Sequence, residues 1–250
     1  MLRRSGAALA LSIALLGACG RAAQPAPPTA STPVTAAAST IPPATPPRTA
    51  GAPELDRALI AAAGRGDLAE VGRLLRLGAS VTATDDGGVT ALIAAAYGGH
   101  VAVAEALVAA GADVNAQDRT KQSAYLIPTA DGNLDLLRLT LAHGADVRST
   151  DSYNGTGLIR AADRGHVEII RELLRTDIPI DHVNRLGWTA LLEAIILGNG
   201  GARHTEVVRL LAGAGANVNL ADSGGVTPLV HAERRGFTEI AAILRAAGAR

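Results

Sequence analysis

The chain has 250 residues, 48% of them hydrophobic and 2% aromatic, and its formal net charge at pH 7 is zero. That length suits one ordinary domain with appendages, and a core so poor in aromatics must be built from close-packed alanine, leucine and valine. The neutrality argues against a general nucleic-acid binder, and the single cysteine, Cys19, excludes an intramolecular disulfide. Charge is unevenly placed: Arg3, Arg4, Arg21 and Arg48 precede every acidic residue, so residues 54–250 hold 19 basic and 23 acidic side chains, a balance of −4.

The chain begins with a short basic segment, Met1-Leu2-Arg3-Arg4, followed by an apolar stretch over residues 6–16. A permanent membrane helix needs about 20 apolar residues, so this length and these flanks predict a cleavable export signal. The stretch runs into Leu16-Gly17-Ala18-Cys19, which resembles the lipobox of bacterial lipoproteins. The resemblance implies a signal peptide over residues 1–18, lipid on Cys19 and a periplasmic, membrane-anchored product. Gly20, where an aspartate would signal retention, leans toward the outer membrane rather than the inner. An ordinary secretory signal cut nearby, with Cys19 incidental, is the alternative. Residues 20–53 carry nine of the twelve prolines among alanine, threonine and serine. Proline lacks a donor N–H and fixes φ, so residues 19–53 read as a lipidated cysteine plus a disordered or polyproline-like tether, with a limiting reach on the order of 100 Å.

From residue 54 onward the sequence repeats. Gly78-Ala79-Ser80-Val81, Gly111-Ala112-Asp113-Val114, Gly144-Ala145-Asp146-Val147, Gly215-Ala216-Asn217-Val218 and the terminal Gly248-Ala249 mark intervals of 33 residues, with Asp177 in place of one glycine and five extra residues around Leu197 to Arg203. Thr90, Ser123, Thr156, Thr189 and Thr227 each precede an apolar run and read as helix N-caps, whose hydroxyl accepts an orphan backbone N–H. A second run follows a glycine turn; Val167, Ile170, Leu173 and Leu174 form its apolar stripe. The closing glycine adopts the left-handed cap, which Asp177 should adopt less comfortably.

A 33-residue unit carrying Thr-Ala/Pro-Leu, Gly-His and Gly-Ala-Asp-Val-Asn resembles the ankyrin repeat. The resemblance implies an all-α solenoid of about six helix-turn-helix repeats with β-hairpin-like fingers, divided at 54–85, 86–118, 119–151, 152–184, 185–222 and 223–250. The histidine that the family places after the leucine is Ile93, Leu126, Ile159, Leu192 or Val230 here.

No nucleophile elbow, phosphate loop or zinc-protease motif is present. His100, His166 and His204 share one repeat position and read as structural, so no metal, cofactor or catalytic residue is assigned. Members of the family bind partners through the fingers and the concave face of the first helices. Carried over by position, this places Tyr97, Arg160, Asp163, Arg164, Glu193 and His231 toward the groove and Tyr153, Asn154 and Trp188 on fingers. Aromatic and arginine side chains are the usual interface anchors. Tyr125 replaces a core leucine and is a weaker candidate.

The expected activity is a membrane-tethered, non-enzymatic, monomeric scaffold that binds an unidentified envelope protein. The alternative is a binder of a small molecule or cell-wall fragment in the groove, for which Arg160, Asp163 and Glu193 are the available polar cluster.

Overall fold

The computed structural model describes residues 51–250; the signal peptide, Cys19 and the tether before residue 51 lie outside the described residues. The described chain forms twelve helices: α1 (Ala52–Gly64), α2 (Leu68–Arg76), α3 (Ala91–Tyr97), α4 (Val101–Ala109), α5 (Leu126–Asp131), α6 (Leu134–Ala142), α7 (Gly157–Arg164), α8 (Val167–Leu173), α9 (Ala190–Ile196), α10 (Ala202–Gly213), α11 (Pro228–Arg234) and α12 (Thr238–Ala246). Nearly all are shorter than the roughly 12–15 residues at which an isolated helix becomes marginal in water, so their stability comes from packing. Helix α1 takes in Ala52 and Pro53, which the sequence places in the tether. Pro53 fits the first turn, where its missing N–H has no intrahelical partner to lose, and Ala52 is buried.

Sequential helices pair, and each pair stacks on the next: odd-numbered helices pack on odd, even on even. The result is two helical layers around two apolar clusters that divide in the third repeat, Leu136 belonging to one and Leu137 to the other. Leu59, Leu74, Leu92 and Leu107 in the first and Leu158, Leu173, Leu191 and Leu211 in the second are all essentially inaccessible. Each such side chain contributes about 1.5–3 kcal/mol. No single pair closes this core; neighbours supply the other wall.

The caps follow the hydroxyl pattern with one exception. The Oγ1 atoms of Thr90, Thr189 and Thr227 accept from the N–H groups of Ile93, Leu192 and Val230 at 3.2, 3.3 and 3.4 Å. Thr156 caps nothing, and its hydroxyl is buried without a partner. Ser123 accepts from Leu126 N–H at 3.1 Å, yet α5 starts late and spans six residues. Ile127 N–H reaches the Ser123 carbonyl, but the next bond of the ladder cannot form because Pro128 has no N–H.

Three further expectations are refined. The fingers are not β-hairpins: the described residues contain no strand, only isolated bridges Thr84↔Thr90 and Gln117↔Ser123. The end of α8 solves the absence of a closing glycine with a side chain. Elsewhere the N–H of Ala79, Ala112, Ala145, Ala216 or Ala249 returns to a carbonyl of the preceding helix; here Ile178 N–H donates to Thr176 Oγ1, which itself donates to Leu173 O at 2.6 Å. The five inserted residues do not all enter a turn. Asn199 to Gly201 lie between the helices, and Ala202 and Arg203 open α10 ahead of His204.

Tyr125 is wholly buried, and its hydroxyl lies against Gly157, where the other repeats place Ala58, Ala91, Ala124, Ala190 and Pro228. A Cβ at residue 157 would sit 2.7 Å from the Tyr125 hydroxyl. The large side chain and the missing one therefore form a complementary pair across two repeats. Gly157→Ala should destabilise the domain by about 1–3 kcal/mol despite its better helix propensity. The double variant Tyr125→Leu/Gly157→Ala should recover most of that loss. Urea unfolding of all four members of the cycle measures the coupling; additive effects would show that the two residues do not share space.

Candidate functional site

The face formed by the first helices and the fingers is organised by one recurring polar residue at each finger base. Oδ1 of Asp85, Asp118, Asp151, Asn184 and Asp222 each accepts two backbone N–H groups of its own turn, at 2.8–3.0 Å. This is why the fingers need no strand ladder. In four of the five, the remaining side-chain atom engages a first helix. Tyr97 OH donates to Asp118 Oδ2 at 2.8 Å, Arg160 Nη1 to Asp151 Oδ2 at 2.8 Å, and His231 Nε2 contacts Asp222 Oδ2 at 2.7 Å. Where the base is Asn184 the polarity reverses: its Nδ2 donates to Glu193 Oε1 at 2.7 Å.

The register explains the exchange. Arg160, Glu193 and His231 occupy the same repeat position, each nine residues after its finger base. A carboxylate base is met by a donor and an amide base by an acceptor. All three hold fingers against helices. Arg160 and His231 are half-buried and Glu193 is 5% exposed. Arg160 Nε is buried with no partner.

Electrostatics follow from this burial. Burial pushes the Glu193 carboxyl up to about 7; the bond from Asn184 opposes the shift, and the charges of Asp163 and Asp151 add to it. Burial also acts to raise Asp118, but the Gln122 N–H, the Thr120 hydroxyl and N–H, and Tyr97 outweigh it and hold the carboxyl below its ordinary value. Tyr97 is raised by burial and by its bond to Asp118. Asp222 is lowered, first by the Val226 N–H and then by His231.

The remaining candidates divide into two groups. The charge of Asp163 is felt by Glu193, and its carboxylate pairs with the exposed Arg164 at 3.2 Å. Tyr97 shows 52% of its surface above Asp118. The second group lies on the fingers. Tyr153 is 64% exposed. Asn154 adopts a left-handed φ of 59°, and its Nδ2 donates to Val183 O at 3.2 Å. Trp188 is only half-exposed, its backbone N–H bound by Asn184.

Sequence reasoning missed Leu186 and Val183, which are 47% and 41% exposed. The repeat itself could have found Leu186, since it stands one period after Tyr153 and belongs to the adjoining finger. The Arg185 N–H donates to Tyr153 O at 2.9 Å and holds the two fingers together. Among the described residues no three histidine, cysteine, aspartate or glutamate side chains are grouped as a metal site would need. His100, His166 and His204 instead reach the carbonyls of Gly64, Ala130 and Asp163 in the preceding repeat.

Glu193 generates a pH prediction. Its proton is held more tightly in the folded than in the unfolded chain, so its contribution is full below the unfolded value near 4.5 and is lost as pH rises through about 7. Glu193→Gln retains an acceptor for Asn184 and removes the buried charge. The variant should match wild type at pH 4 and exceed it by on the order of 2 kcal/mol at pH 8. Chemical denaturation at both pH values checks this; an equal difference at each would show that Glu193 does not titrate in this window.

Residues 49–118 and 126–222 match the family model described as ankyrin repeats, in three copies. A 77-residue stretch, 31% of this chain, is 49% identical to the putative ankyrin repeat protein YahD of Escherichia coli (strain K12) and spans 38% of that relative. An ankyrin repeat domain from Acinetobacter baumannii AYE is similar in structure, with a TM-score of 0.75, 49% identity and coverage of 77% of this chain and 98% of that one. The ankyrin repeat protein EF0377 gives 0.73 at 34% identity, covering 76% and 97%, and the human ASB11 ankyrin repeat domain 0.66 at 29%, covering 77% and 84%. This chain belongs to the ankyrin repeat family.

Proposed function

We propose that this ankyrin repeat chain is a protein-binding scaffold of the bacterial envelope, held to a membrane by lipid on Cys19. Ankyrin repeats form protein–protein interaction domains and are typically not enzymes. In this reading residues 1–18 are removed, residues 19–53 act as tether, and six repeats divided at the boundaries given above present the binding face. The outer membrane is the favoured location, on the strength of Gly20.

The observation that carries the reading is the apolar pair Tyr153 and Leu186, exposed at equivalent positions of adjacent fingers and joined through Arg185 N–H and Tyr153 O. Exposed aromatic and aliphatic side chains grouped on one edge mark an interaction site more often than scattered ones do. The small-ligand reading rests on Arg160, Asp163 and Glu193. Arg160 and Glu193 are already bound to Asp151 and Asn184, so a ligand there would compete with the bonds that hold the fingers.

Two measurements test the proposal in intact bacterial cells. A photo-crosslinking amino acid at position 153 should yield a discrete adduct with an envelope protein, whereas one at the exposed Ala109, at the end of α4, should not. The same adduct from both positions, or none from 153, defeats the finger reading. Cys19→Ser should shift the protein from the membrane pellet to the soluble periplasmic fraction; unchanged pelleting defeats the anchor.

A further inference from the structure

We infer that the finger tips at residues 118–121, 151–154 and 184–187 form a docking strip for an acidic protein segment that also carries apolar side chains. This rests on the finger-binding reading and adds the chemistry of the partner.

The exposed residues on these three tips are Arg119, Thr120, Lys121, Ser152, Tyr153, Arg185 and Leu186. Three are cationic, two are large and apolar, and none is a carboxylate. The two acids present, Asp118 and Asp151, are buried and turned inward onto backbone N–H groups, Tyr97 and Arg160. Many other arginines of the domain pair with a carboxylate, among them Arg138, Arg148, Arg171, Arg209 and Arg245. Among the described residues, the side chains of Arg119, Lys121 and Arg185 have no such partner.

The strip is continuous. Gln117 Nε2 on one finger donates to Thr150 O of the next at 3.1 Å and to Lys121 O at 3.0 Å, and Arg185 N–H ties the third finger to Tyr153 O. Adjacent packed elements lie roughly 8–10 Å apart, so three tips span about 20 Å, the length of about six residues of extended chain.

Lys121 supplies an independent sign. The left-handed position of the tip is glycine in three fingers, at Gly88, Gly187 and Gly225, and is Lys121 and Asn154 in the other two. Asn154 uses its side chain to bond Val183 O. Lys121, with φ 60°, forms no side-chain bond that would offset the strained conformation. Strain held without internal compensation is a mark of a functional position, and what a lysine adds there is an outward charge. The domain as a whole carries −4, so a polyanion such as nucleic acid or an anionic membrane is repelled at long range. A short acidic segment with leucine- or phenylalanine-like side chains matches both the three cations and the apolar pair.

A random twelve-residue peptide display selection on the full chain carrying Cys19→Ser tests this. The enriched sequences should be acidic and should contain aliphatic or aromatic residues. Their affinity should fall at least tenfold on Arg119→Ser/Lys121→Gly/Arg185→Ser and on Tyr153→Ser/Leu186→Ser, and it should weaken with added salt for wild type but much less for the first variant. All five positions are exposed, and unchanged thermal melting confirms folding. Enrichment of basic or neutral peptides, no enrichment at all, or equal binding by the charge variant overturns the inference. Sedimentation with phosphatidylglycerol vesicles that requires the three cations also overturns it, in favour of a lipid surface. If position 153 crosslinks to a partner while the selection fails, the binding site stands and its assigned chemistry falls; if 153 crosslinks to nothing, both fall.

Discussion

The rest of the structure depends on a single side-chain oxygen at each finger base. Asp85, Asp118, Asp151, Asn184 and Asp222 each satisfy two backbone N–H groups that a turn without strands would leave unpaired. A buried N–H left unsatisfied costs about 1–3 kcal/mol, so Asp118, Asp151 and Asn184, whose bonds are buried or part-buried, carry much of their turns. In four fingers the remaining side-chain atom engages a helix, which fixes the direction in which the finger leaves the helical layers. Finger geometry is therefore set by buried polar bonds and is little affected by what occupies the tip.

Coupling between repeats uses the same means. His100, His166 and His204 each reach a carbonyl near the end of the preceding repeat's first helix, at 3.2, 2.9 and 2.9 Å. The final repeat has Phe237 at that position, packed over Gly200, and Arg235 takes over the carbonyl of Gly198 at 2.8 Å while its guanidinium stacks 4.8 Å from the Phe237 ring. On the second helices, pairs such as Arg138–Glu172 and Arg209–Glu239 also cross repeats. Exposed pairs of this kind contribute about 0–1 kcal/mol each. The apolar clusters and the part-buried carbonyl contacts hold the register, and the surface ion pairs add little.

This division explains what could be read from sequence. Periodicity located the helices, the glycine turns and the structural histidines, because those features recur in phase. It placed Arg160, Glu193 and His231 toward the groove because their position is recurrent and polar, and it did not foresee that each also bonds its own finger base. The signal that they are claimed is present but subtle, since Arg and His follow aspartate bases while Glu follows Asn184. Of the hairpin-like fingers, the described residues keep only isolated antiparallel bridges, because a side-chain acceptor takes up N–H groups of the turn. The closing of α8 by Thr176 was illegible, as it depends on a hydroxyl meeting Leu173 O in three dimensions. Leu186 was legible only through the repeat, as the residue one period after Tyr153, because a lone leucine has no apolar neighbours in its own finger to mark it.

Where the fold exerts its constraint also determines where recognition can vary. The base residue and the left-handed position three residues later are fixed by backbone geometry, and the helix residue opposite is fixed by the base. The two residues between them are Arg119 and Thr120, Ser152 and Tyr153, and Arg185 and Leu186; their backbone N–H groups serve the base, and Thr120 adds its hydroxyl, which donates to Asp118 Oδ1 at 2.7 Å. The other five side chains face solvent at no cost to the turn. A fold that spends its concave polar groups on its own fingers thus leaves the tips as the surface on which chemistry can be chosen freely. Here the choice departs from the −4 balance of the domain, placing cations and apolar groups side by side where the fold itself requires neither.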